Sequence, residues 1–490
     1  MKDEREVGVE MNRRENPASQ ESLAVVIMAA GKGTRLKSKR PKVLHEIGGQ
    51  PLLAHVIAAA SAVAPAERVY VVVGHEANRV RDAVASTGVR FVEQTEQRGT
   101  GHAIQCARQA VAGFGSILVL SGDVPLIRAE TIEGLWQFHK TQKAAMTLLT
   151  TTPADPTGYG RVVRSAPGAA EVQAIVEQKA LTPEQQSIGE INAGIYAFQT
   201  GPLFAHLDKL TADNAHAELY LTDMARLLRA AGERVVAVEA RDPEEVLGAN
   251  TLAELASLDS TLRAATARRL MDSGVTIFRP ETCVIDADVR VAPDTIIEPF
   301  VQLLRGTRIG RDCRIRSYTV IENCMLGDSI EVRQNCVLAD STVSNGAKIG
   351  PFAHLRADSQ IGENVHVGNF VETKKTRLRQ GAKANHFAYL GDSEIGARSN
   401  IGAGTIFCNY DGVNKHQTHI GEGVFVGSNS TLVAPVTIGD GAYVGAASCI
   451  TKDVPADALA VGRSRQVTKE GWAAGRRKRR EQAPVPEKGQ

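Results

Sequence analysis

No stretch of the 490 residues is apolar for the length of a membrane-spanning helix. Residues 1–22 are crowded with Lys, Arg, Asp and Glu where a signal peptide needs an apolar core. Net charge is scarce too: 57 Lys and Arg against 55 Asp and Glu leave +2, with no overall electrostatic commitment to nucleic acid or a membrane surface. The seven cysteines (Cys106, Cys283, Cys313, Cys324, Cys336, Cys408, Cys449) form no C-x-x-C pair and no zinc-ligand spacing, as expected of reduced, mostly buried thiols. These absences predict a cytoplasmic protein with no membrane partner and no specific nucleic-acid partner. The basic run Arg476–Arg480 lacks interleaved aromatics and reads, with the Pro-containing end, as a solvated tail.

What the C-terminal half does have is an aliphatic-glycine pulse every six residues. It runs through Ile309-Gly310, Ile315 and Ile321, then Ile349-Gly350, Leu355, Ile361-Gly362 and Val367-Gly368, and again from Ile420-Gly421 to Ile450. A period of six suits neither an α-helix nor one alternating strand. It fits a parallel β-helix with three short strands per coil, one aliphatic pointing inward from each, about eighteen residues to the coil and about eight to ten coils. The glycines are expected at the corners, where a Cβ is costly.

Residues 23–250 alternate apolar runs with helical patterns, as open α/β sheets do. Leucines at helical spacing over residues 251–274, closed by Gly274, predict a connecting helix. The expected organisation is an N-terminal extension (1–22), an α/β domain (23–250), a helical linker (251–274), a β-helix (275–466) and a basic tail (467–490).

In the α/β half, the run from Val25 to Arg35 is a buried strand emptying into a loop of small residues, with Lys42 close behind. Small residues admit a phosphate to backbone N–H groups, and Lys and Arg supply charge. The spacing is wrong for a Walker loop, and Leu36 stands where a dinucleotide fingerprint needs its third Gly. A second strand, Leu118–Leu120, runs into Ser121-Gly122-Asp123. Ligands of open α/β sheets bind at the carboxyl ends of strands, so Asp123 and the Gly31 loop should share a cleft, with a hard oxygen suited to Mg²⁺.

The motifs AAGKGTR (29–35), Pro41-Lys42, Gln94 with Gly99-Thr100-Gly101-His102, Gly122-Asp123-Val124-Pro125, Gly158–Arg161, Val176-Glu177, Glu190-Ile191-Asn192 and Asn250 resemble sugar-1-phosphate nucleotidyltransferases. Over nearly its whole length the chain resembles bacterial bifunctional N-acetylglucosamine-1-phosphate uridyltransferases/glucosamine-1-phosphate acetyltransferases. The resemblance implies a Rossmann-like α/β nucleotidyltransferase domain followed by a left-handed parallel β-helix of hexapeptide repeats, assembled as a homotrimer. It implies that Met28, Ala29, Ala30, Gly31, Gln94, Gly99, Thr100 and Gly122 hold UTP, that Arg35 and Lys42 act on its phosphates, and that Asp123 and Asn250 hold Mg²⁺. Gly160, Glu177 and Asn192 would hold the acetylated sugar. Ser121 departs from the Tyr expected before Gly-Asp, which puts one pocket contact in question.

Three polar stretches break the pulse: Val371–Thr376, Ala384–Asp392 and Cys408–Lys415, the last expected to be an outward loop. Acetyl transfer from a thioester to a sugar amine needs a base near pH 7, which imidazole supplies. By the resemblance that base is His386, with Glu372 helping to orient it. Arg356 and Lys374 would grip the sugar phosphate, and Tyr389, Asn400, Asn409 and Tyr410 the amino sugar. Ala403, Ser428, Ala446 and Arg463 would bind acetyl-CoA between neighbouring chains. The rival readings are a single-activity nucleotidyltransferase with a scaffolding β-helix and an interaction protein with a decayed nucleotide site. The first predicts loss of the His386, Lys374 and Arg356 set, the second loss of Asp123 or the Gly31 loop, and all are present.

Overall fold

The computed structural model describes residues 22–166, 168–214 and 217–482. The expected N-terminal extension, apart from Ser22, and the last residues of the tail lie outside the described residues. Two compact units emerge. One ends at Thr266 and takes in Asp286–Asp288; the other comprises Ala267–Ile285 and the residues from Val289 onward.

The first unit is built on strands β1 (Leu23–Met28), β2 (Val69–Val73), β3 (Arg90–Glu93), β4 (Ser116–Ser121), β5 (Met146–Thr151), β6 (Arg161–Arg164), β7 (Val172–Val176), β8 (Ile191–Gln199) and β9 (Val235–Glu239). They line up as β9-β5-β8-β4-β1-β2-β3, with the β6–β7 hairpin attached through β8. Strands β1 to β4 are mutually parallel, whereas β8 runs antiparallel to both neighbours. The strands read as unbroken apolar runs because both faces are covered. Val25, Ile27, Leu118 and Leu120 enter one core, while Ala24, Val26, Ile117 and Val119 enter the other, the period of two that a pleated strand imposes.

The second unit is a left-handed parallel β-helix of hexapeptide repeats, its strands running from Thr276–Ile277 to Leu459–Ala460. Its register is legible in the pairing: Val284 opposes Gln302, and Lys348 opposes His366, one full coil of eighteen. Where a corner is one residue shorter, as from His366 to Lys383, the spacing falls to seventeen. Between Asn400 and Phe425 it grows to twenty-five, because residues 409–416 loop out of the coil as the sequence predicts. The inward aliphatics, from Ile309 to Ile450, are buried in one continuous core.

The pulse glycines sit where a Cβ is costly, as expected, because a neighbouring coil lies against them. Gly368 does not take a left-handed backbone; a Cβ there would meet the Asn385 carbonyl oxygen of the next coil at 1.9 Å. The left-handed corner falls two residues later, on Phe370 (φ 58°), and in other coils on Asp312, Asn364 or Asn429. At these positions glycine is demanded by the neighbouring coil and the turn is made by other residues, whereas Gly350 itself takes a left-handed backbone (φ 88°). The connecting helix spans Leu252–Asp272, followed by Gly274 at φ 96°. In the tail, Trp472–Glu481 form a helix with every residue outside any core.

Candidate active sites

In the first unit, Met28 and Ser121 stand opposite each other at the ends of β1 and β4, so the segments that follow leave the sheet side by side. The Gly122 N–H donates to the Met28 carbonyl at 3.0 Å, and a Cβ on Gly122 would sit 3.0 Å from that same oxygen. This close approach brings Asp123 beside the 29–35 loop. Gly33 (φ 62°) brings Lys42 in, since a Cβ there would lie 2.5 Å from Lys42 Cβ.

The result is a cleft of about 660 Å³ lined by Met28, Ala29, Ala30, Gly31, Arg35, Lys42, Gln94, Gly99, Thr100 and Asp123, together with Lys32, Thr34, Gln97, Ser121 and Glu218. Gln94, almost wholly buried, donates to the Gly99 carbonyl at 3.1 Å and so shapes the turn before the Thr100–Val111 helix. Lys42 forms an ion pair with Asp123 and donates to Asn250 Oδ1 at 2.9 Å; Arg35 donates to the same oxygen at 2.6 Å. Burial alone would raise the Asp123 carboxyl. The charge and hydrogen bond of Lys42, with the 2.7 Å hydrogen bond from Ser121 Oγ, outweigh it and hold the group below its usual range.

Two hard oxygens, from Asp123 and Asn250, therefore converge on one cationic point that the Lys42 ammonium occupies. No cluster of three or more His, Cys, Asp or Glu able to hold a metal exists among the described residues. Two protein oxygens with the balance from phosphates and water is the donor set Mg²⁺ favours, so these residues fit it.

Gly160, Glu177 and Asn192 are not among the cleft-lining residues, but they form a group of their own. The Asn192 N–H donates to the Gly160 carbonyl at 2.9 Å, and a Cβ on Gly160 would lie 3.6 Å from both Glu177 carboxylate oxygens. Asn192 Nδ2 donates to the buried Tyr196 hydroxyl at 2.7 Å. Tyr159 links this group to the Asp123 and Arg35 end of the cleft: burial raises its hydroxyl, and it lies within electrostatic reach of Glu254, Asp123 and Arg35. Asn250 is placed by a capping box, Thr251-x-x-Glu254. Glu254 accepts from the Asn250 N–H at 2.6 Å and the Thr251 N–H at 3.1 Å, while Thr251 Oγ accepts from the Glu254 N–H. The Thr-x-x-Glu spacing that marks this helix start is visible in the sequence itself.

In the second unit, stacking of coils makes a row. Asn369 opposes His386, and the registers of the next coils carry the row through Ala403, Ser428 and Ala446. Backbone bonds confirm it: the Asn429 N–H donates to Ala403 O at 2.7 Å and the Ala447 N–H to Ser428 O at 2.8 Å. Four residues predicted by resemblance, scattered over sixty positions, thus share one corner of the helix. The Cys449 N–H donates to Gly462 O, which sets Arg463 at the end of the stack.

Around the corner lies a second patch. Arg356 and Glu372 form an ion pair at 2.8 Å, and Glu372 stacks on Tyr389. Lys374 stands over Gly391, whose missing Cβ leaves room for the Tyr389 hydroxyl and Asn409 Nδ2, each 2.6 Å from that position. Lys415 and then Arg356 hold the Lys374 ammonium below the ordinary lysine range, placing three cations together. Lys415 was not singled out from sequence. Glu372 does not orient His386: its partner is Arg356, and Asn369 Oδ1 instead faces His386 Nδ1 at 2.8 Å. Asn400 stands on the neighbouring face, opposite Lys383 and Phe425, so the structure separates it from Tyr389 and Asn409. Tyr410 is exposed on the 409–416 loop.

Comparison with known proteins supports both halves. Residues 25–276 match the MobA-like NTP transferase domain, and residues 340–375 and 417–452 match the bacterial transferase hexapeptide repeat. Among relatives, the Bifunctional protein GlmU of Koribacter versatilis is 62% identical over 93% of this chain and 97% of its own length. That of Solibacter usitatus is 51% identical over 93% and 98%, and that of a Synechococcus species 47% over 92% and 98%.

Proposed function

Since the chain belongs to the bifunctional GlmU family of transferases, we propose that its two units divide two consecutive reactions on one sugar phosphate. The second unit transfers acetyl from acetyl-CoA to the amine of glucosamine 1-phosphate. The first couples the resulting N-acetylglucosamine 1-phosphate to UTP, releasing pyrophosphate and UDP-N-acetylglucosamine, a precursor for cell-wall and outer-layer synthesis. The observation that carries this reading is that two separate compact units each hold a set of groups suited to one of these chemistries.

For uridylyl transfer no base is needed, because the attacking phosphate oxygen is already ionised at neutral pH. The task is alignment and charge neutralisation. Ala30, Gly31, Gln94, Gly99 and Thr100 hold the nucleotide, while Arg35 and Lys42 face its phosphates. Asp123 and Asn250 would hold Mg²⁺, which supplies further neutralisation of the phosphates. On binding, Lys42 exchanges its contact with Asp123 for phosphate oxygens. Gly160, Glu177 and Asn192 receive the acetylated sugar.

For acetyl transfer, the amine attacks the thioester carbonyl and His386 Nε2 takes the ammonium proton. Collapse of the tetrahedral adduct expels the CoA thiolate, which is then protonated. Arg356, Lys374 and Lys415 neutralise the sugar phosphate. Acetyl-CoA lies along the row Ala403, Ser428 and Ala446 toward Arg463. The separation of Asn400 from Tyr389 within one chain, and the exposed aromatic column Phe352, Phe370 and Phe387 beside His386, support a homotrimer in which neighbours complete the site. No helix among the described residues is long and apolar enough to cross a membrane, and we place the enzyme in the cytoplasm.

The test is thiol release from acetyl-CoA on adding glucosamine 1-phosphate without UTP. Release that disappears in His386→Ala supports the reading. No release from folded protein would leave the β-helix a scaffold.

A further inference from the structure

Asp411 is an exposed carboxylate around which the 409–416 loop is organised. Its Oδ1 accepts the Val413 N–H at 2.8 Å and the Asn414 N–H at 2.6 Å, while Oδ2 faces His416 Nε2 at 2.8 Å. The rest of the loop closes on this centre. The Asp411 N–H donates to Asn414 O at 3.1 Å, the His416 N–H donates to Asn409 O at 2.8 Å, and Tyr410 and Lys415 pair across it as an antiparallel bridge. The loop carries Tyr410 and Lys415 and is rooted at Asn409, which donates to Asp392. An eight-residue excursion without its own core has few other means of holding one shape.

We infer that Asp411 and His416 are positioning residues for the amino-sugar phosphate: their contact clamps the loop so that Lys415 is presented beside Lys374. The inference rests on the acetyl-transfer reading. The Asp411 carboxyl is held far below its usual range, first by His416 and then by the Asn414 and Val413 N–H groups, so the clamp's anionic half is charged throughout the working range. Neither residue is required to touch the reacting atoms. Val413, 83% exposed at the loop tip, takes part only through its backbone.

The test uses the full chain and thiol release. Asp411→Ala is expected to raise the KM for glucosamine 1-phosphate about tenfold, with kcat and the KM for acetyl-CoA within about twofold of the parent, the pattern of lost ground-state binding. His416→Ala should raise it about threefold, and the double variant should be no worse than Asp411→Ala, since the two act through one contact. Asp411→Asn, which keeps the oxygen that caps the turn, should recover most of the loss, and Val413→Ser should match the parent. An unchanged KM in Asp411→Ala, multiplicative effects in the double variant, or a matching loss in acetyl-CoA KM and kcat would overturn the inference. A parent enzyme that releases no thiol at all would overturn the acetyl-transfer reading beneath it, a separate and recognisable result.

Discussion

Asn369 Oδ1 lies 2.8 Å from His386 Nδ1, one coil below it in register. An amide oxygen only accepts, so Nδ1 carries the ring proton and Nε2 keeps the lone pair a base needs. Asn369→Ala is expected to lower kcat of acetyl transfer by about one to two orders of magnitude with modest change in either KM. Asn369→Asp should recover part of that loss, because a carboxylate oxygen also accepts from Nδ1 and keeps the same tautomer. A kcat for Asn369→Ala equal to the parent's would show that the contact has no catalytic consequence.

The two reactions should separate by mutation. Asp123→Ala removes the carboxylate that converges with Asn250 Oδ1 on the Lys42 ammonium. It is expected to lower uridylyl transfer by at least about a thousandfold while leaving thiol release unchanged. His386→Ala should do the converse. Pyrophosphate and thiol assays on the same preparations decide it, and loss of both activities in one folded variant would refute the two-site arrangement.

Two glycines of the nucleotide cleft should fail differently. A Cβ on Gly31 meets nothing within 4 Å, whereas one on Gly99 (φ 101°) would lie 2.6 Å from Leu219 O and 2.8 Å from Leu219 N. Gly31→Ala is therefore expected to melt like the parent yet bind UTP more weakly, the lost space being the ligand's. Gly99→Ala should lower the melting temperature of the first unit, at a cost of about 1–3 kcal/mol. Calorimetry and UTP titration distinguish the two.

His139 is buried between Trp136, on which it stacks, and Thr147 Oγ1 at 2.8 Å, and burial pushes its pKa down to about 4. Unfolded, it titrates near about 6.5. Between these values the unfolded chain binds the extra proton, so the stabilisation is complete above about pH 6.5 and is lost as pH falls toward about 4, by up to about 3 kcal/mol. The first unit's melting temperature should fall over this range, and more shallowly in His139→Leu. Equal slopes would assign the acid sensitivity to other groups.

Much of the site was legible because its signals are local. The Gly31 loop, Asp123 and Lys42 announce themselves by residue type beside a buried strand, and Thr251-x-x-Glu254 could have been read the same way. Asn369, Lys415 and the Asp411–His416 clamp carried no such signal. An Asn in a Gly-Asn-Phe run and a His after a Lys have no distinguishing neighbours in the chain, and resemblance pointed to Glu372 as the partner of His386 instead.

By itself the sequence determined the alternation of strands and helices, the six-residue coil and the kinds of chemistry available, since each depends on spacings of a few residues along one chain. What only the tertiary structure decided is which side chains are neighbours across coils. A seventeen-, eighteen- or twenty-five-residue step leaves the inward aliphatics buried alike, yet each step sets a different residue above His386 or Lys374. The aliphatic pulse is insensitive to that step, because a corner shortened or looped outward leaves the core face unchanged while shifting the outward residues that build the site.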